Sequence, residues 1–568
     1  MSLSLRLGAG LVACAAPLAT LAAQPAPNPD LELAHHVLRR VTFGPTPDLV
    51  ARIANPPVGM SALQEAQAYI AEQLNPNAGA DPFFPFGSAD VQALDGPGGA
   101  LGIPNTLPAT TAQIDQFEFR QVVGSQLAHG LESKWQLREV MCQFWERHFN
   151  THLVGSQFWF QNKIPATSSN AAHAWHYEWR ANEFYRENAL GTFHDLLVFT
   201  AQHVTMVAYL HLDRNTVAGP NEDFARELLE LYTMSPELPV PMGTPVQNYS
   251  QPDVETVARI LTGWSINPAA DFSFTFNAAN HDIGPKPAMF TPAYSLPVGT
   301  TGVNEGLTLL AELAKRDATK DFICRKLLNE FLVDGGGDLE PVLLGRMKNA
   351  WGNQGDITLV LTELLNSLEF LGTTYRFERA RLPIEAVLAP PRAFAAGFES
   401  ICTPAQPSFF NLINSWISMG DLGQSLQGYP APNGYPSASA AQHSPHAAIA
   451  RFSFAARSLF PTQLPTFQCP ALTQDSLEYD VAGHIAATLT VGWNNPQLAA
   501  RFLLETLYGT RFTAPDENAV VQAMGNAAVW WLVNNGTLDL SAPTTPAYRH
   551  VVNCGAVTAM AMAQGAIR

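Results

Sequence analysis

Three concentrations of ionisable side chains in this sequence could carry chemistry. The first lies in Gly219-Pro220-Asn221-Glu222-Asp223-Phe224-Ala225-Arg226-Glu227-Leu228-Leu229-Glu230. Glu222, Arg226 and Glu230 recur every four residues and share one stripe of a helix, with Asn221 placed to cap it. Exposed to water, such a stripe is an ion-pair ladder contributing about 0.2–0.5 kcal/mol per pair. On a cleft floor, an arginine between two carboxylates leaves one of them to act as general base or metal ligand. The second concentration is Asn280-His281-Asp282-Ile283-Gly284-Pro285-Lys286. His281 and Asp282 can trade a proton or ligate a metal, and Lys286 can anchor an anion; the same residues also suit a polar turn. The third is a run of histidines between His129 and His211. Within it, the four-residue spacing of His148 and His152 would let two imidazoles meet one cation, although the aromatic neighbours Phe144, Trp145 and Phe149 equally suit a half-buried structural histidine. His173-Ala174-Trp175-His176-Tyr177-Glu178-Trp179 reads either as an aromatic surface for a sugar or peptide, or as core filling.

Helices must position these groups. Apolar residues recur at three-and-four spacing over 31–53, 61–74, 112–150, 183–211, 221–234, 252–264, 304–315, 317–332, 339–350, 356–370 and 381–400, which predicts a mostly α fold. Pro- and Gly-rich stretches at 75–111, 235–250, 267–303 and 401–445 read as loops, long enough to serve as lids or linkers. The expected organisation is a main helical domain over 24–378 and an attached helical C-terminal subdomain over 379–568. Residues 1–23 have the layout of an export signal, with Arg6, an apolar stretch and small residues at Ala22 and Ala23. Leu11-Val12-Ala13-Cys14 offers a second reading, a lipoprotein signal with Cys14 as anchor, and an uncleaved apolar start is a third. The expected location is therefore the periplasm, outer surface or extracellular space, and no later stretch reaches the roughly 18 apolar residues of a membrane span.

The 568 residues are 47% apolar and 14% charged, with a net charge of −17. That composition excludes a disordered chain and argues against a nucleic-acid partner, which needs basic side chains to neutralise phosphates. Phosphate loops, GxGxxG, GxSxG and HExxH motifs are all missing. No cysteine pair has zinc spacing; a Cys402–Cys469 disulfide and free thiols are both open. Where charges are this scarce, their clusters become informative.

Several segments together resemble a bacterial family, domain of unknown function 1800. They are His35-His36-Val37-Leu38-Arg39-Arg40-Val41-Thr42-Phe43-Gly44-Pro45, Phe144-Trp145 with His148-Phe149, Tyr185-Arg186, Asn221-Glu222-Asp223-Phe224-Ala225-Arg226-Glu227-Leu228, Leu261-Thr262-Gly263-Trp264, His281-Asp282 with Gly284 and Lys286, and Pro432-Asn433-Gly434-Tyr435-Pro436. Where the family reads Trp-His-Asn-His-Phe, this chain has Glu146 and Arg147 at the inner positions, so one histidine of the pair is replaced. The resemblance implies an exported, mainly helical protein and, as a partner, an exported protein similar to the sulfatase and alkaline phosphatase fold. The residues themselves suggest a cleft built from Arg39, Arg40, His148, Asn221, Glu222, Arg226, Glu230, His281, Asp282 and Lys286. Glu222 or Asp282 would be the acid/base, His281 the proton carrier and Arg226 or Lys286 the anion holder, acting on an extracellular polymer or glycan with or without a divalent metal. The alternative is a non-catalytic envelope protein that binds or matures the sulfatase-like partner. Substrate, metal dependence and oligomeric state are not encoded legibly.

Overall fold

The computed structural model describes residues 28–76, 114, 119–238, 245–269, 271–394, 402–403, 406–407 and, with interruptions, 423–455 and 481–561. Residues 1–23, suggested as an export signal, most of the 75–111 loop and the Cys469 half of the suggested disulfide lie outside the described residues. The fold is mostly α, as the periodicity predicts. Where one long helix is expected, the chain breaks at punctuating residues. The 31–53 stretch becomes α1 (Pro29–Val41) and α2 (Pro47–Ala54). Asn28 caps α1 and Thr46 caps α2, each followed by a proline whose missing N–H costs nothing in a first turn. Ser61 and Gln64 form a capping box at α3 (Ala62–Leu74).

The 112–150 stretch resolves into α4 (Phe119–Glu132) and α5 (Gln136–His148), followed by α6 (Leu153–Gln161) and α7 (Asn170–Glu187). Next come α8 (Phe193–Gln202), α9 (Val204–Tyr209) and α10 (Asp223–Glu227), which continues as a π-helical turn over Leu228–Thr233. The wide turn shows in its hydrogen bonds: the Met234 N–H donates to the Leu229 carbonyl and the Thr233 hydroxyl to the Leu228 carbonyl, both five residues back. A small ribbon, β1 (Glu237–Leu238) with β2 (Val246–Gln247), leads into α11 (Gln251–Ile260). The 252–264 helix prediction overshoots. Trp264 begins β3 (Trp264–Asn267), which pairs antiparallel with β4 (Ser273–Phe276) inside the expected 267–303 loop. Gly263, at φ +82, makes the turn, a conformation that a side chain would strain.

Helices α12 (Val303–Lys315), α13 (Asp317–Phe331), α14 (Pro341–Ala350), α15 (Ile357–Leu365) and α16 (Pro383–Ala393) follow. The C-terminal third contributes a two-stranded ribbon and α17 (Val481–Thr488), α18 (Pro496–Tyr508), α19 (Ala514–Asn535) and α20 (Pro546–Ala561).

The hydrophobic core runs without interruption from Leu33 to Met560, across the 378/379 position suggested as a domain edge. Arg379, at that position, ties both sides together. Its guanidinium donates to Glu330 at 3.0 Å and to both oxygens of Glu385 at 3.0 and 3.2 Å. Glu330 also pairs with Arg147 at 2.9 Å. A buried chain Arg147–Glu330–Arg379–Glu385 therefore clamps α5, α13 and α16. Burial raises the Glu330 carboxyl, but Arg147 and Arg379 outweigh it and hold the group below its usual value. Removing one partner of a buried ion pair leaves an uncompensated charge. Glu330→Gln is therefore expected to lower the unfolding free energy by about 3–5 kcal/mol in urea titrations; a loss below about 1 kcal/mol would show that the clamp is dispensable.

Candidate functional site

The first sequence cluster is a surface pair. Glu222 accepts from Arg226 at 2.7 Å, with both side chains more than a third exposed, and Gln251 at the start of α11 bonds to each of them. Glu230 lies beyond the change to the π turn, so the four-residue stripe does not continue through it on an α-helical pitch. Asn221 sits one residue before the cap position held by Glu222, and its side chain accepts from the Asp223 N–H at 2.8 Å.

The second cluster is at the other end of α11. Asp282 accepts from Arg259 at 2.7 Å and from the Gly284 N–H at 2.7 Å, and Arg259 holds its carboxyl below the ordinary range. A carboxylate held down in this way is a poor general base near neutral pH. Lys286 spends its donors on the Asp282 and Gly284 carbonyls at 2.5 and 3.0 Å and on Glu305 at 2.9 Å, leaving little for an outside anion. His281 is buried; its Nδ1–H donates to the Thr262 carbonyl at 2.9 Å, and Nε2 lies 3.6 Å from Glu305. Gln251 and Arg259 are eight residues apart on α11, about 12 Å of helical rise. The two clusters are thus anchored at opposite ends of one helix and do not converge on a single cleft.

The remaining candidates are internal. Arg39 donates to the Leu507 carbonyl at 2.7 Å and lies over the Phe377 and Tyr508 rings. Arg40 is buried and donates to the Leu332 carbonyl at 3.2 Å. His148 closes α5, and His152 lies in the extended segment beyond it, so the expected pair does not share a helical face. His148 Nε2–H donates to the Tyr232 carbonyl at 3.1 Å, which leaves Nδ1 to accept from Lys326 Nζ at 2.8 Å. The two residues that depart from the family tract are both structural. Glu146 accepts from Gln126, Gln143 and Asn182, and Arg147 belongs to the Glu330 clamp. The aromatic surface expected at 173–179 is largely core: His173, His176, Tyr177 and Trp179 are buried on α7. Among the described residues, no group of three or more His, Cys, Asp or Glu side chains is arranged to hold a metal.

A cleft does exist, beside these residues. It measures about 380 Å³ and is lined by Gly155, Phe158, Trp159, Asn162, Lys163, Ala208, Tyr209, His211, Asp213 and Arg214, within the size range of small-molecule sites. One wall is α6, fixed to α7 because Thr151 and Ser156 donate to buried Glu178, whose carboxyl burial pushes up to about 7. The opposite wall is the turn after α9. There His211 adopts φ +55, a left-handed conformation costly for a residue with a Cβ. Its Nδ1 is 3.1 Å from Asp223, which connects the Asn221-Glu222-Asp223 motif to the cleft through Asp223. Asp213 Oδ2 accepts from Trp159 Nε1 at 3.0 Å and lies 3.2 Å from Lys163; Oδ1 is buried with no hydrogen-bond partner among the described residues.

The Pro432–Pro436 motif reaches the same region. Tyr209 donates to the Pro430 carbonyl at 2.7 Å, and Asn150 donates to the Tyr429 and Ala431 carbonyls at 3.0 and 2.9 Å. Gly434, at φ +71, packs so closely on the Arg147 carbonyl that a Cβ would overlap it. Sequence reading passed over Trp159, Lys163, Tyr209, Asp213 and Arg214 because they are spread over 56 positions without a spacing rule. The Phe158-Trp159-Phe160 run was the available signal.

Burial first, and Arg147 second, lower the Lys326 ammonium to about 7 from its ordinary 10.5. Between those values the unfolded chain binds more protons than the folded one, so this group makes stability rise from pH 7 towards 10.5. Lys326→Met should flatten that rise in urea midpoints measured at several pH values across the window; an unchanged slope would refute the buried, depressed ammonium. Gly434→Ala should cost about 1–3 kcal/mol through backbone strain and overlap, read as a lowered Tm, and an unaltered Tm would mean that the 429–436 segment docks loosely.

No curated protein and no solved structure matches the chain. The model of a family described as "Protein of unknown function (DUF1800)" matches residues 36–542. Among the described residues, no helix is long and apolar enough to cross a membrane. With the match spanning nearly the whole sequence, and with its motif segments spread from the Arg39–Gly44 turn to the 430s loop beside Tyr209, the chain belongs to the DUF1800 family.

Proposed function

We propose that this is an exported protein that binds a segment of an extracellular glycan in the Trp159–Tyr209–Asp213 cleft, and that its activity is recognition rather than acid/base catalysis by Glu222, His281 or Asp282. The carrying observation is the composition of the cleft set against the condition of the three suggested catalytic groups. Phe158, 64% exposed at the rim, and the half-buried Tyr209 ring offer apolar faces of the kind that stack on the C–H face of a sugar. Asn162 and Asp213 add polar side chains to the cleft wall. Glu222, His281 and Asp282, by contrast, are separated along α11 and engaged with Arg226, Thr262 and Arg259. Export rests on the layout of residues 1–23.

Calorimetric titration of the mature chain with a panel of neutral and acidic oligosaccharides tests the reading. Phe158→Ala removes an exposed ring and should weaken binding about threefold to tenfold, from the roughly 0.5–1.5 kcal/mol of a stacked pair, with the helical circular dichroism unchanged. Absence of binding across the panel would overturn the proposal.

A further inference from the structure

The charge around the cleft runs against that of the whole molecule. The chain carries −17, yet two cations, Lys163 and Arg214, line the cleft against one lining carboxylate, Asp213. That carboxylate is already engaged, with Oδ2 shared between Trp159 Nε1 and Lys163 Nζ. Asp223 balances His211 from α10. Arg214 is exposed, and among the described residues it makes no ion pair. Lys163 stands 5.1 Å over the Trp159 ring, which is buried in the cleft wall, and so keeps its ammonium at the cleft. An arginine beside an aromatic platform, in a protein whose overall field repels anions, is the arrangement that selects one bound oxyanion.

We propose that the ligand of this cleft is an acidic saccharide, its sugar ring against Phe158 and Tyr209 and its ring-borne oxyanion on Arg214, with Lys163 in support. The proposal rests on the glycan-binding reading above and narrows it to a charge class. A planar carboxylate fits the guanidinium fork in two parallel hydrogen bonds. A sulfate ester presents the same kind of oxygen acceptor, so the two sources are separated by probe.

The test titrates the mature chain and its Arg214→Met variant with three probes of matched length: a neutral cello-oligosaccharide, an oligogalacturonate and a sulfated oligosaccharide. Arg214 is exposed and unpaired among the described residues, so the variant keeps its fold, verified by an unchanged Tm. The expected result is that the oligogalacturonate binds at least tenfold more tightly than the neutral probe. Arg214→Met should erase most of that preference while leaving the neutral affinity within twofold, and the preference should shrink as salt is raised. A preference for the sulfated probe, equally sensitive to Arg214→Met, supports the oxyanion subsite with the ester as its source. Equal binding of neutral and acidic probes, unaffected by Arg214→Met, overturns this inference and leaves the glycan-binding reading standing. Binding of none of the three overturns both.

Discussion

The buried carboxylate of Glu330 is the constraint on which much of this architecture hangs. A carboxylate taken out of water is tolerable only when its charge is matched, and here Arg147 from α5 and Arg379 from beyond α15 match it at 2.9 and 3.0 Å. Arg379 then passes the requirement to Glu385 on α16. A second buried set, Arg138–Glu139–Arg186, does the same for α5 and α7, and its arginines hold the Glu139 carboxyl down to about 2 against the opposing effect of burial. These links are directional in a way that apolar packing is not. They specify which helices meet and at which residue.

The clamp also bears on the cleft, which is assembled from short pieces. Arg147 is clamped by Glu330 through its side chain while its carbonyl receives Gly434. Asn150, two residues past the end of α5, holds the Tyr429 and Ala431 carbonyls, and Tyr209 holds that of Pro430. The loop is thus laid over the end of α5 and against the residue that closes α9. Helices carry the cleft, the left-handed His211 turn lines it, and the 429–436 segment is fastened beside it through Tyr209. Binding residues on loops held by a rigid scaffold are a common solution, because precision comes from the scaffold and chemistry from the loop.

Many of the few charges in this chain lie inside it. Arg40, Arg138, Arg186, Arg379, Glu139, Glu330 and Glu385 are all buried. Clustering of charge in the sequence therefore does not show which charged side chains line a cavity. The densest clusters, at 222–230 and 281–286, fasten the two ends of α11 by an exposed pair and by a saturated turn. Of the cations that line the cleft, Lys163 stands apart from other charges in the sequence, while Arg214 follows Asp213 in the His211–Arg214 turn.

What the sequence determined by itself was local. Three-and-four spacing specified helices, since one apolar stripe per helix must be buried whatever its partner. The family was legible for the same reason, its motifs being contiguous runs such as Arg39–Gly44 and Asn221–Leu228. Tertiary structure alone decided three things. It split the 112–150 stretch at Ser133–Trp135 and the next helices at His203, where no Pro or Gly stands, it buried His148 against Lys326 rather than beside His152, and it gathered Trp159, Tyr209, Asp213 and Arg214 around one cavity. Each depends on which surfaces of different helices come to face one another. That is set by the fit of the whole core and by the pairing of a few buried charges, and spacing along the chain does not record it.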